Sequence, residues 1–135
     1  MSYFYVICPV GGDPSFTEKK TTLETLGRAN GIEPFFPLDN QSFSNESTVN
    51  AIKAAEFVLA DLSLERPSCY FELGIAEALK VRVVLIAATG TAIHQVGNPQ
   101  HCLFYSNLTE YQLHVSRVLS MRARPLEMSN LNDYP

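Results

Sequence analysis

Apolar positions along this chain alternate between short unbroken runs and stretches where they recur every three or four residues. The first run, "YFYVICPV" (Tyr3 to Val10), is continuously apolar, rich in β-branched and aromatic residues, and stops at "GGDP". Such a run predicts a strand covered on both faces of a parallel sheet. "SFTEKKTTLETLGRANG" then reads as a helix. Ser15 and Glu18 have capping-box spacing, Phe16, Leu23 and Leu26 share a face, and Gly31 supplies a stop. "IEPFFPL" is a short second strand whose two prolines favour a sheet edge. The polar stretch "DNQSFSNES" leads into a helix over Thr48 to Glu56. "FVLADLS" (Phe57 to Ser63) and "VRVVLIAA" (Val81 to Ala88) are the third and fourth strands, joined by a helix that starts near Pro67. "TGTAIHQVGNPQHC" is a loop or broken helix, "LFYS" a weak fifth strand, and "NLTEYQLHVSRVLSMRAR" an amphipathic last helix.

Strands that alternate with helices predict an α/β fold with a parallel sheet and right-handed crossovers. Five of them suit a three-layer flavodoxin-like architecture in the order 2-1-3-4-5, with the ligand crevice beyond the carboxyl ends of strands 1 and 3. Those ends are "CPVGGDPS" and "ADLSLERPS". We expect one domain over residues 1–124 and a polar tail over 125–135.

One residue breaks the pattern. In the helix after Pro67, the residues Ile75, Ala76 and Leu79 form an apolar stripe, and Glu72 lies on it. A carboxylate facing a sheet is costly unless it is paired, hydrogen-bonded or beside a polar crevice. It either rotates outward to cap nearby amides, or it is an acid in a pocket near a helix N-terminus whose dipole favours the ionised form. In a pocket, an ionised carboxylate can attack the anomeric carbon of a sugar or stabilise its oxocarbenium-like transition state.

Composition acts mainly by exclusion. With 46% hydrophobic and 18% charged residues, the 135-residue chain is suited to a single core. A net charge of -4 and the lack of a basic run argue against long nucleic acid or a membrane surface as partner. No apolar run approaches transmembrane length, and "MSYFYVICPV" lacks the basic start of a signal peptide. Cys8, Cys69 and Cys102 cannot all pair within the chain and fit no zinc spacing, so reduced thiols and a cytoplasmic location are expected. His94, His101 and His114 include no pair at helical metal-ligand spacing, so no metal is expected. ATPase and dehydrogenase fingerprints are absent.

"ADLSLERPSCYFELGIAEAL" resembles the segment around the nucleophilic glutamate of the nucleoside 2-deoxyribosyltransferase family, related members of which hydrolyse deoxynucleotide N-glycosidic bonds. The shared form is a strand ending in Asp, a variable loop, an aromatic residue, "ELG" and an alanine-rich helix. The likeness extends to the glycine-containing first loop and to "FPLDNQ", touching much of the first ninety residues. It implies that Glu72 is the nucleophile and that the loop Pro9 to Asp13, with Gly11 and Gly12, faces base or sugar. Asp39 would lie around the pocket. Asp61, Ser63, Arg66 and Ser68 would complete the substrate contacts, although Asp61 equally suits a loop cap and Asp13 suits one better than a substrate contact. No cofactor is implied, and homo-oligomers are. Two positions depart from the family: Arg66 stands where transferases carry an aspartate, and Glu46 is out of register with an acid expected near Thr48. Arg66 instead suits a phosphate at the helix mouth. "SCYFEL" also resembles the glutamate segment of TIR domains, whose enzymatic members cleave the nicotinamide–ribose bond of NAD. The expectation is cleavage or exchange of an N-glycosidic bond in a nucleoside, nucleotide or related ribosyl compound. The alternatives are a TIR-like NAD-cleaving domain and a nucleotide-binding sensor without turnover.

Overall fold

The computed structural model describes residues 2–37, 45–94 and 101–122. Its strands are β1 (Tyr3–Ile7), β2 (Glu33–Phe35), β3 (Val58–Asp61), β4 (Val83–Ala88) and β5 (Leu103–Tyr105). They form one sheet in the order β2-β1-β3-β4-β5, and every pairing is parallel. The helices are α1 (Phe16–Ala29), α2 (Asn45–Ala54), α3 (Pro67–Ala78) and α4 (Leu108–Met121). This is the flavodoxin-like arrangement that the alternating runs predict.

The continuous apolar run of β1 divides between two cores because successive strand side chains point to opposite faces. Phe4 and Val6 pack with Leu23 of α1 and with Tyr111 and Val115 of α4. Tyr5 and Ile7 pack with Ile52 of α2 and with Cys69 and Leu73 of α3. Two helices therefore cover each face. Strand β2 pairs only with β1, in keeping with its two prolines.

Several boundaries differ from expectation. Helix α2 begins at Asn45, three residues early, and strands β3 and β4 are shorter than their apolar runs. Ser15 does precede α1, but its hydroxyl caps nothing. The capping box is replaced by Asp13, whose side chain accepts from Ser15 N at 2.9 Å while its carbonyl accepts from Phe16 N at 3.2 Å. Asp39, Asn40 and the polar tail lie outside the described residues. No helix among the described residues is long and apolar enough to cross a membrane.

Candidate active site at the carboxyl ends of the strands

Helix α3 starts with Pro67 in its first turn, where a missing N–H costs nothing. Glu72 follows in the second turn, between the buried residues Cys69, Leu73 and Ala76. Its side chain does not rotate outward. Glu72 is half-buried, and the hydroxyl of fully buried Tyr5 donates to its Oε2 atom. Burial raises the Glu72 pKa above the usual glutamate value, and the Tyr5 hydrogen bond pulls it part of the way back. The net direction is therefore toward the protonated form, contrary to the expected preference for the ionised one. Burial and the neighbouring carboxylate raise the Tyr5 pKa as well, so the phenol stays a donor. The arrangement fixes one carboxylate oxygen and leaves the group short of solvent, which strengthens it as a base or nucleophile.

The loops after β1 and β3 are clasped together. The Arg66 guanidinium donates to the Gly11 carbonyl. Gly12 has φ +86°, and a Cβ there would lie 2.7 Å from Arg66 Nη2, so glycine is needed both for the backbone and for the close approach. Leu64 and Glu65 are also left-handed, with φ 68° and 46°. Consecutive non-glycine residues in that region are strained, and such strain persists where surrounding contacts over-determine it. Here Glu65 Oε1 accepts from the Tyr70 hydroxyl at 2.8 Å and meets His94 Nδ1 at 2.6 Å. The His94 contact is the main reason that the Glu65 carboxyl sits below the ordinary range. Pro9 is buried at the start of the first loop, while Ser68 is exposed on the first turn of α3.

Asp13, Asp61 and Ser63 converge, but on residues that the sequence reading passed over. Lys19, buried on α1, donates to Asp13 at 2.8 Å, to Asp61 at 3.3 Å and to the hydroxyl of Tyr105 on β5. Tyr105 donates onward to Asp61 Oδ2 at 2.9 Å, and Asp61 Oδ1 accepts from Ser63 N at 3.0 Å. Because the Tyr105 proton is committed, the Ser63 hydroxyl donates to Tyr105 at 3.0 Å while accepting from Ala88 N at 2.7 Å. Desolvation acts to lower the Lys19 pKa, yet Asp61 and the bonds from Asp13 and Tyr105 together raise it. The cluster joins the carboxyl ends of β1, β3, β4 and β5. Helical spacing was a signal for Lys19, which shares a stripe with Phe16, Leu23 and Leu26.

The chain matches no protein-family model and no curated protein. Among solved structures it is similar to a CMP N-glycosidase of Clostridium botulinum (17% identity, 86% of this chain and 98% of that one, TM-score 0.65). It is also similar to a 2-deoxyribosyltransferase of Bacillus psychrosaccharolyticus (17% identity, 82% and 90%, TM-score 0.60). A 2-deoxyribosyltransferase of Leishmania mexicana matches at 24% identity over 64% of this chain, with a TM-score of 0.53. The chain spans 65% of the length of that protein. At these identities the likeness is one of architecture: the chain has the fold of the nucleoside 2-deoxyribosyltransferase-like proteins.

Proposed function

We propose that this chain cleaves or exchanges the N-glycosidic bond of a nucleoside or nucleotide, with Glu72 acting at the anomeric carbon. The observation that carries the reading is the half-buried Glu72 carboxyl held by the Tyr5 hydroxyl, on the fold shared with 2-deoxyribosyltransferases and a CMP N-glycosidase. Tyr5 holds Oε2, so the other oxygen is the one available to approach C1′. Attack there breaks the bond to the base, which leaves with the bonding electrons and takes up a proton. Water then releases the sugar, or a second base replaces the first. Poor solvation favours the step because the carboxylate loses its charge as the new bond forms.

Arg66 favours a 5′-phosphate over a free 5′-hydroxyl. It precedes Glu72 by six residues, about 9 Å along a helix axis at 1.5 Å per residue. That offset suits a phosphate bound at the helix mouth with its sugar beside the carboxylate. The test is release of free base from CMP, from deoxynucleoside monophosphates, from the matching nucleosides and from NAD, followed by chromatography. Glu72→Ala should lose at least about a thousandfold of the rate on the accepted substrate. Undiminished activity in that variant refutes the assignment.

A cation rather than an acid at position 66 favours a second reading, a module that holds a nucleotide without turnover. Tight binding of CMP by calorimetry with no base released over long incubation would select it.

A further inference from the structure

Three residues that the Glu72 reading does not use form a closed hydrogen-bonded circuit beside the strained turn before α3. The Glu65 carboxyl is held ionised and can only accept, so His94 Nδ1 carries the proton in their 2.6 Å contact. The Tyr70 hydroxyl donates to the same Oε1 atom at 2.8 Å and accepts from His94 N at 3.1 Å. Burial raises the Tyr70 pKa, which keeps that hydroxyl a donor. Each member therefore holds the other two. The circuit also spans elements: Glu65 follows β3, Tyr70 lies on α3 and His94 follows β4.

Tyr70 stands two residues before Glu72, about 200° round the helix, so it faces away from that carboxylate. The circuit is placed to act on Arg66 instead. Leu64 and Glu65 both have left-handed backbones, which are costly for residues with a Cβ. The chain leaves them at Arg66 with φ -71° and ψ 134°. On its far side Arg66 is already fixed, because its carbonyl accepts from Cys69 N at 3.0 Å and Tyr70 N at 3.3 Å. On its near side the strained turn has one backbone bond, Glu65 N to Leu62 O at 3.0 Å. Leu64 is 50% exposed and packs too little to hold the turn alone. The second hold comes through the Glu65 carboxylate. We propose that Tyr70 and His94 are positioning residues for Arg66: by locking Glu65 they aim the guanidinium at the helix mouth, and so set selectivity for a phosphorylated substrate. The selectivity rests on the reading of Arg66 as the phosphate ligand. Neither residue needs to touch substrate, and through them the loop after β4 acts on the same guanidinium as the loop after β1.

The experiment is NMR of the full chain, reading the heteronuclear NOE at Arg66 Nε and the shift of that signal on titration with inorganic phosphate. Arg66→Ala assigns the signal by deleting it. Tyr70→Phe removes one hydroxyl, and His94→Ala changes an exposed residue, so both variants should fold. Each should lower the NOE toward that of a free arginine side chain. Each should also weaken phosphate binding about threefold to tenfold, the usual net effect of one hydrogen bond. Glu65→Ala should do the same, whereas Glu65→Gln, whose amide oxygen still accepts, should restore most of both readings. A circuit that served stability alone would lower the melting temperature and leave both Arg66 readings at their wild-type values, which overturns the proposal. Phosphate that shifts the wild-type signal while Tyr70→Phe and His94→Ala keep full order at Arg66 removes the positioning claim and leaves Arg66 as a phosphate ligand. Phosphate that shifts the Arg66 signal in no variant, wild type included, removes the ligand reading and the selectivity with it.

Discussion

The Tyr5 hydroxyl acts on Glu72 in two ways that one substitution separates from packing. It fixes the carboxyl rotamer and lowers its pKa against the larger effect of burial. Tyr5→Phe keeps the ring within its core and removes only the donor. We predict that base release falls about ten- to hundredfold, a range typical for loss of one positioned polar group. The acid limb of the pH–rate profile should also move upward, because ionised Glu72 is required and its pKa rises without the bond. An unchanged profile with a normal rate would show the contact to be idle. The same raised pKa has a consequence for stability. A carboxyl whose folded pKa exceeds its unfolded one stabilises the fold below the unfolded value, and this contribution is lost as pH rises through the folded value. At pH 7 the ionised group is therefore a net cost. Glu72→Gln should melt a few degrees higher than wild type at pH 7–8, the difference fading toward about pH 4, the ordinary glutamate value. Calorimetric scans at the two pH values check the sign. Glu72 was legible because a charge sat on an apolar stripe, and Lys19 carried the same mark on α1. Tyr5 carried none. Both faces of β1 are apolar, so nothing in the run tells which side chain meets the acid.

Helices α1 and α3 end in the same way but with different residues. In each, the second N–H past the C-cap returns to a carbonyl one turn back: Ile32 N to Gly27 O at 3.0 Å, and Val81 N to Ala76 O at 3.1 Å. The residue just past the cap also bonds back, Gly31 N to Arg28 O at 3.1 Å and Lys80 N to Glu77 O at 3.1 Å. This Schellman pattern requires a left-handed residue, and φ is 75° at Gly31 and 58° at Lys80. Glycine made the first stop readable, whereas an exposed lysine hid the second behind a strand predicted two residues too early. Lys80→Gly should relieve the strain and raise stability by about 1 kcal/mol in urea unfolding, with activity unchanged. A loss of stability would mean that contacts of the lysine side chain outweigh the backbone. At this scale the strand order was readable from the alternation of runs alone. Element ends were not, because they depend on local hydrogen bonds such as that of Asp13 to the first turn of α1.

Across the whole molecule, the crevice is assembled from loops far apart in sequence, and its two halves meet at Arg66 and Gly12. Sequence reading brought each loop to the same end of the sheet. It did not bring out that the guanidinium lies against the first loop, because such a contact exists only once β1 and β3 are neighbours. The contact makes the two positions act as one unit. A Cβ at position 12 would overlap Arg66 Nη2, whose flexible side chain would yield, and the φ of +86° adds a backbone strain that lowers stability. Gly12→Ala therefore displaces the guanidinium from the Gly11 carbonyl and from the helix mouth, the place proposed for a phosphate. Arg66→Ala removes it altogether. Each single variant should raise KM for a nucleoside monophosphate about tenfold, the loss of one charge-assisted contact, while KM for the matching nucleoside barely moves. Because both act on KM through the same guanidinium, the double variant should have a nucleotide KM no higher than that of Arg66→Ala alone, a coupling of about 1.4 kcal/mol in the double-mutant cycle. Independent effects that multiply to a hundredfold would mean that the first loop touches substrate by itself. Equal losses on nucleoside and nucleotide would mean that Arg66 holds the loops together without reading the phosphate.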